Sequence, residues 1–122
     1  MISAAVPIAL AFDLVCSGML RSGPVGLALP EQVGQPFEIT YRIDLDSGRW
    51  CSDGCETVES VSSVFEGAIV LRDRHDDDGS NVVTVFPAGY RFTDTTIQGE
   101  TATLRSGSCR AERFSGFPLN LA

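Results

Sequence analysis

The chain has 122 residues, 43% hydrophobic and 20% charged. That is one domain of ordinary size, able to bury about two-thirds of its unfolded surface, which excludes intrinsic disorder as the overall state. Sixteen acids against nine bases give a net charge of −7, which argues against nucleic acid as a partner because little is present to displace counterions from phosphates. All nine bases are Arg, there is one His and no Lys, so Schiff-base chemistry has no amine and general-base catalysis has few candidates.

In chain order, Met1 to Ala11 is apolar or small throughout, and Ala9-Leu10-Ala11 has the small-x-small form of a cleavage site. It lacks a positive leading region and is short for a signal peptide, so residues 1–11 are read as an export-signal remnant and 12–122 as a single β domain. No apolar run reaches about 18 residues, so no membrane span is expected.

Phe12-Asp13-Leu14-Val15-Cys16 reads as a first strand, with Phe12, Leu14 and Cys16 on one face. Gly23 to Pro36, rich in Gly and Pro, reads as a long connection. Phe37-Glu38-Ile39-Thr40-Tyr41-Arg42-Ile43-Asp44-Leu45 alternates apolar and polar residues with the period of a half-buried strand. Asp46 to Arg49 supplies a turn, and Trp50-Cys51 resumes an extended segment. Val58 to Phe65 is assigned to a strand because β-branched residues and Ser dominate it.

Ala68 to Leu71 is a compact strand, His75 to Asn81 a polar hairpin tip, and Val82 to Phe86 a further strand ended by Pro87-Ala88-Gly89. Tyr90 to Thr93 continues outward. Thr101 to Phe114 forms the last strand, with a bulge expected at Ser106-Gly107-Ser108. No amphipathic helix is present. The pattern predicts an all-β antiparallel meander of about seven or eight strands, closing into a small barrel that removes exposed edges.

Cys16, Cys51, Cys55 and Cys109 make an even count in a small chain, as in a disulfide framework formed outside the cytoplasm. Of the three formal pairings, Cys51 with Cys55 and Cys16 with Cys109 are preferred, the long bridge tying the first strand to the last. Four free thiols in a cytosolic protein are the alternative.

Several constellations invite a chemical reading, and each has a plainer one. Cys51 and Cys55 have three residues between them, flanked by Asp53 and Glu56 whose charges raise thiol pKa, so a loop staple is favoured over a redox pair. The four thiols do not form two close pairs, which disfavours zinc. Asp73, Asp76, Asp77, Asp78 and Ser80 offer oxygen ligands for calcium, yet Arg74 breaks the loop pattern and a solvated acidic tip suffices. His75 sits on a polar segment ill suited to excluding water. Asp44 and Asp46 are expected to face solvent or pair with Arg42 and Arg49. Phe114 and Phe117, separated by Ser-Gly, are expected to plug one barrel end, or else to form an apolar patch for a partner.

Together, Phe12-Asp13-Leu14-Val15-Cys16, Arg42-Ile43-Asp44-Leu45, Trp50-Cys51 with Cys55, and Phe114-Ser115-Gly116-Phe117-Pro118 resemble a group of small exported bacterial proteins. The likeness spans residues 12 to 118; it implies a compartment and an intact fold, and no activity. The chain is also similar to the periplasmic C-type lysozyme inhibitors, small β-barrels with a Cys near the start joined to one near the end, as Cys16 and Cys109 stand here. An acidic barrel suits a basic partner protein. That family's Ser-Gly-x-x-Tyr loop is absent, and Pro87-Ala88-Gly89-Tyr90 is the nearest stretch, so no inhibitory residue is carried over.

The resulting expectation is a non-enzymatic, disulfide-braced, periplasmic or secreted binding module without cofactor or metal. Pro87, Ala88, Gly89, Tyr90 and Phe117 are the candidate partner-binding residues. Inhibition of a lysozyme or other hydrolase is one alternative. Carriage of a small apolar ligand in a cavity lined by Phe37, Ile39, Tyr41 and Val82 to Phe86 is another.

Overall fold

A computed structural model describes residues 10–26 and 34–118. Nine strands run in chain order: β1 (Ala11–Pro24), β2 (Gln35–Asp44), β3 (Arg49–Ser52), β4 (Glu59–Ser60), β5 (Ser63–Phe65), β6 (Ala68–Asp76), β7 (Gly79–Phe86), β8 (Arg91–Gln98) and β9 (Thr101–Arg113). They form one sheet in the order β4-β3-β2-β1-β9-β8-β7-β6-β5, with antiparallel pairing throughout. The sheet curls through 285° into a half-barrel. First and last strands therefore lie side by side, as a closing meander requires.

The strand expected over Val58 to Phe65 divides into β4 and β5 because the chain changes neighbours in its middle. Val61 N–H donates to the Gly48 carbonyl on the β3 side, whereas Ser62 N–H donates to the Val70 carbonyl of β6. The seam of the curled sheet is thus spanned by the chain itself. Of the proposed export segment 1–11, all but Leu10 and Ala11 lies outside the described residues. So does much of the connection between β1 and β2, which the structure narrows by extending β1 to Pro24 and starting β2 at Gln35.

Alternation decides the inner face. On β1 and β2, Phe12, Leu14 and Cys16 stand opposite Ile43, Tyr41 and Ile39, and all six are buried. With Trp50, Ile69, Leu71, Val83, Val85 and Phe92 they form one apolar cluster. Its aromatic members interlock: Tyr41 lies 6.1 Å from Trp50 and 5.8 Å from Phe92, and Phe37 meets Phe92 edge-on at 5.6 Å between centroids, within the range of favourable ring packing.

The bulge is not at Ser106-Gly107-Ser108, where β9 keeps unbroken register with both neighbours. There the backbones approach closely instead. Gly18 and Gly107 are directly opposed, and a Cβ on Gly18 would stand 1.9 Å from the Ser106 carbonyl oxygen, one on Gly107 2.0 Å from that of Ser17. Glycine relieves crowding at this row without an inserted residue. The register shift falls between Val70 and Arg72, with Leu71 as the extra residue.

Cys16 and Cys109 face each other across the β1–β9 ladder and are joined, with Cα atoms 3.9 Å apart. Cys51 and Cys55 form the second bridge, so both expected pairings hold. Among the described residues, no helix is long and apolar enough to cross a membrane.

The ending does not plug the barrel. Asp13, Arg42 and Arg49 alternate with core residues and so lie on the outer face of β1, β2 and β3. Ser115 N–H donates to Asp13 Oδ1 at 3.2 Å, Arg42 Nη1 donates to the Gly116 carbonyl at 2.9 Å, and the Arg49 guanidinium covers the Phe117 ring at 5.1 Å. Phe114 and Phe117 meet edge-on at 5.2 Å. The segment is a strap across the outside of the wall, half-buried rather than free.

Candidate functional site

The extra residue at Leu71 controls the chemistry of the inner face. Leu71 is fully buried, and Arg72 is next to it but pairs with Val83, an inward residue. A bulge lets two consecutive side chains share a face and reverses the alternation beyond it. Arg72 and Arg74, which an unbroken strand would place outside, therefore point into the half-barrel. On the neighbouring strands the same face continues from Val83 to Asn81, from Phe92 to Asp94 and Thr96, and from Gly107 to Arg105 and Thr103. The inner surface is apolar at one end and polar at the other.

The polar end holds a cavity of about 420 Å³ lined by Arg72, Arg74, Asn81, Asp94, Thr96, Thr103 and Arg105. Three of the chain's nine arginines converge there, in a protein whose net charge is −7. Two smaller hollows adjoin it. One, of about 160 Å³, lies by the β6–β7 turn and shares Arg74, Asn81 and Thr96. The other, of about 400 Å³, lies against the Cys51–Cys55 loop and shares Arg72.

Arg72 is the divider. Its Nε donates to Glu59 Oε1 at 2.9 Å, its Nη2 to Glu59 Oε2, and its Nη1 to Asn81 Oδ1 at 2.8 Å. The guanidinium also stacks 5.1 Å over the Trp50 ring. The fork-to-fork bonds with Glu59 raise the Arg72 pKa despite the opposing effect of burial. Planar bidentate pairing and stacking fix this side chain as no ammonium could be fixed.

Asn81 passes the network on. Its Nδ2 donates to Asp94 Oδ1 at 2.8 Å and to Thr96 Oγ1 at 2.8 Å. Arg105 approaches Asp94 Oδ2 only to 4.0 Å, an ion pair without a hydrogen bond. Its guanidinium lies 5.7 Å over Phe37, which orients the plane while leaving donors unspent.

Beneath this wall lie two buried polar atoms without partners, the Tyr41 hydroxyl and Trp50 Nε1. Tyr41 is 1% exposed. Burial above all, and then the charge of Asp94, push its pKa well above the ordinary value, with Arg105 and Arg72 acting in the opposite sense. The hydroxyl thus lies within electrostatic reach of the cavity's own charged residues. A buried hydroxyl without a partner costs about 1–3 kcal/mol.

The residues singled out from sequence are distributed elsewhere. Cys51 and Cys55 are 1% and 2% exposed, which hides both sulfurs from thiol exchange and fits the loop staple. Asp53, at φ 47°, anchors that loop by accepting the Thr40 N–H at Oδ1 and donating its own N–H to the Thr40 carbonyl. Pro87, Ala88, Gly89 and Tyr90 make the β7–β8 turn, closed by a Tyr90 N–H to Pro87 carbonyl bond and tied to β9 through Cys109 N–H on the Tyr90 carbonyl. Phe117, on the strap over β3, is separated from that turn by β2, β1, β9 and β8 in sheet order. The two parts of the expected partner surface are not adjacent along the wall.

His75 bonds to Asp73 at 2.7 Å on the open end of β6, with both side chains largely exposed. Asp76 Oδ1 accepts the N–H groups of Asp78 and Gly79, and Asp44 Oδ1 those of Asp46 and Ser47. These carboxylates shape turns. Arg42 and Arg49 do not pair with Asp44 or Asp46 but serve the strap. Among the described residues, no group of three or more His, Cys, Asp or Glu is placed to hold a metal.

Sequence reasoning missed the arginine-lined mouth. One signal was present: Leu71-Arg72-Asp73-Arg74 breaks the alternation begun at Ile69, and a polar residue two positions after Phe92 shares its face. Comparison with known proteins returned nothing further: no family model, no curated protein and no solved structure matches the chain.

Proposed function

We propose that the protein is a non-enzymatic, extracytoplasmic binding module whose ligand-binding face is the polar mouth of the half-barrel. The observation that carries this reading is the cavity of about 420 Å³ walled by Arg72, Arg74 and Arg105 with Asn81 and Asp94, a volume in the range of small-molecule sites. The two disulfides support export. Carriage of an apolar ligand is not favoured, since Tyr41, Trp50 and Phe92 fill the apolar end with their own rings.

The sole Trp stacks beneath Arg72, so its fluorescence reports on occupancy. A panel of small polar molecules, charged and neutral, is titrated into the disulfide-bonded protein while Trp50 emission is followed. At least one compound should shift the emission saturably, and Asn81→Ala together with Thr96→Val should weaken that binding. A panel without any saturable response refutes the reading.

A second reading, recognition of a basic protein, has its own observation. Phe65 stands opposite Ala68, and Phe86 opposite Arg91; since Ile69 pairs with Val85, the four residues form one row on the outer face. Phe65 and Phe86 are exposed, as is Tyr90 in the adjoining turn. The apolar part of this row, Phe65, Ala68 and Phe86, borders the expected Pro87 to Tyr90 segment on an acidic protein. Binding of a lysozyme at low ionic strength, lost in Phe86→Ser with Tyr90→Ser and weakened by salt, is the expected result; no binding at low salt sinks it.

A further inference from the structure

With Arg72 neutralised by Glu59, the mouth retains Arg74 and Arg105 against Asp94, one positive charge in excess. Two guanidinium groups with unspent donors suit a carboxylate. The rest of the wall is not that of a simple anion site. Asp94 Oδ2 accepts no hydrogen bond, being 4.0 Å from Arg105, and an acceptor there calls for a donor on the ligand. Thr103, bonded to Ser22 at 3.2 Å, and Thr96 add hydroxyls that donate or accept.

We infer that the mouth takes a polyhydroxylated monocarboxylate, a molecule of the sugar-acid class, its carboxylate on Arg105 and Arg74 and its hydroxyls on Asp94, Thr96 and Thr103. This rests on the mouth being the binding face. A doubly charged inorganic phosphate fits less well, because it brings acceptors against Asp94 and exceeds the single positive charge available. A fatty carboxylate fits less well again, since the apolar end has no room for its chain.

The test uses the oxidised full chain in low-salt buffer and follows Trp50 fluorescence, with calorimetry on any responder. The probes are D-glucuronate, D-galacturonate and D-gluconate, their neutral parents D-glucose and D-galactose, and inorganic phosphate. At least one acid should bind about tenfold or more tightly than its neutral parent and than phosphate, the factor expected for a charge-assisted hydrogen bond. Arg105→Gln should weaken that acid by about tenfold and Thr103→Val by about fivefold. Both variants are built to fold: Arg105 is partly exposed, and Thr103→Val keeps a β-branched side chain of the same shape on β9. An unchanged urea midpoint checks this.

Neutral sugars binding as tightly as the acids overturn the inference and leave the mouth as a binding face. Phosphate binding as tightly overturns the hydroxyl argument in the same way. No response to any of the three acids also overturns the inference. An acid whose affinity survives Arg105→Gln is bound elsewhere, which removes both the inference and the reading beneath it.

Discussion

Replacing Cys16 and Cys109 together by Ala removes a cross-link between residues 93 positions apart. In the chain-entropy treatment that link restrains the unfolded chain by about 4.7 kcal/mol. The Cys51–Cys55 bridge spans 4 positions and by the same treatment restrains it by about 2 kcal/mol. Each double variant deletes two sulfurs from sites that are at least partly buried, so the loss of packing is similar and largely cancels between them. The Cys16/Cys109 variant should therefore be the less stable of the two by about 2.5 kcal/mol. Urea unfolding followed by far-UV circular dichroism measures this, and the midpoints should differ by about 1–2.5 M. β1 and β9 are also paired along thirteen residues by their backbone hydrogen bonds, which neither double variant removes. Equal midpoints, or a weaker Cys51/Cys55 variant, would refute the loop-length argument.

Further expectations follow from particular contacts. Gly18→Ala places a Cβ against the Ser106 carbonyl oxygen and should cost about 3 kcal/mol or more, whereas Gly54→Ala, which meets nothing within 4 Å, should shift the urea midpoint little. Arg72→Met strips Glu59 and Asn81 of a shared partner and uncovers Trp50; a loss of about 2 kcal/mol and a red-shifted Trp emission are expected. Tyr41→Phe should leave stability at neutral pH equal or improved, because the hydroxyl has no partner. Its pKa is raised in the folded state, so above pH 10, where the unfolded phenol ionises at its ordinary value of 10.0, the unfolded state binds fewer protons and stability falls with rising pH. Thermal midpoints taken from pH 7 upward should show Tyr41→Phe losing less over that alkaline range; parallel curves contradict the argument.

Much of the fold was legible in local pattern. Alternation from Phe37 to Leu45 predicted both β2 and the residues it buries, because a strand's period of two assigns faces without knowledge of its neighbours. The turn residues marked most hairpins because Gly, Pro, Asn and Asp set the backbone geometry locally. The even cysteine count, with one pair close and the other remote, anticipated both bridges. The last strand was expected to bulge at Ser106 to Ser108, but two glycines opposed across a ladder relieve crowding without an insertion, and a single strand cannot reveal what faces it.

The arginine-lined mouth depended on tertiary structure. Whether Arg72 and Arg74 point in or out turns on one extra residue at Leu71, and a bulge is set by the partner strand β7, not by the residues around it alone. Asp94 and Arg105 likewise become neighbours only through the β8–β9 register. The strap from Phe114 to Pro118 follows the same logic, since its anchors Asp13, Arg42 and Arg49 come from three different strands. Composition and alternation determined by themselves that this chain builds a disulfide-braced β wall with one apolar face, since those depend on each residue and its near neighbours. Pairing across the sheet alone decided where that face turns polar, because charge convergence is a property of registers between segments distant in the chain.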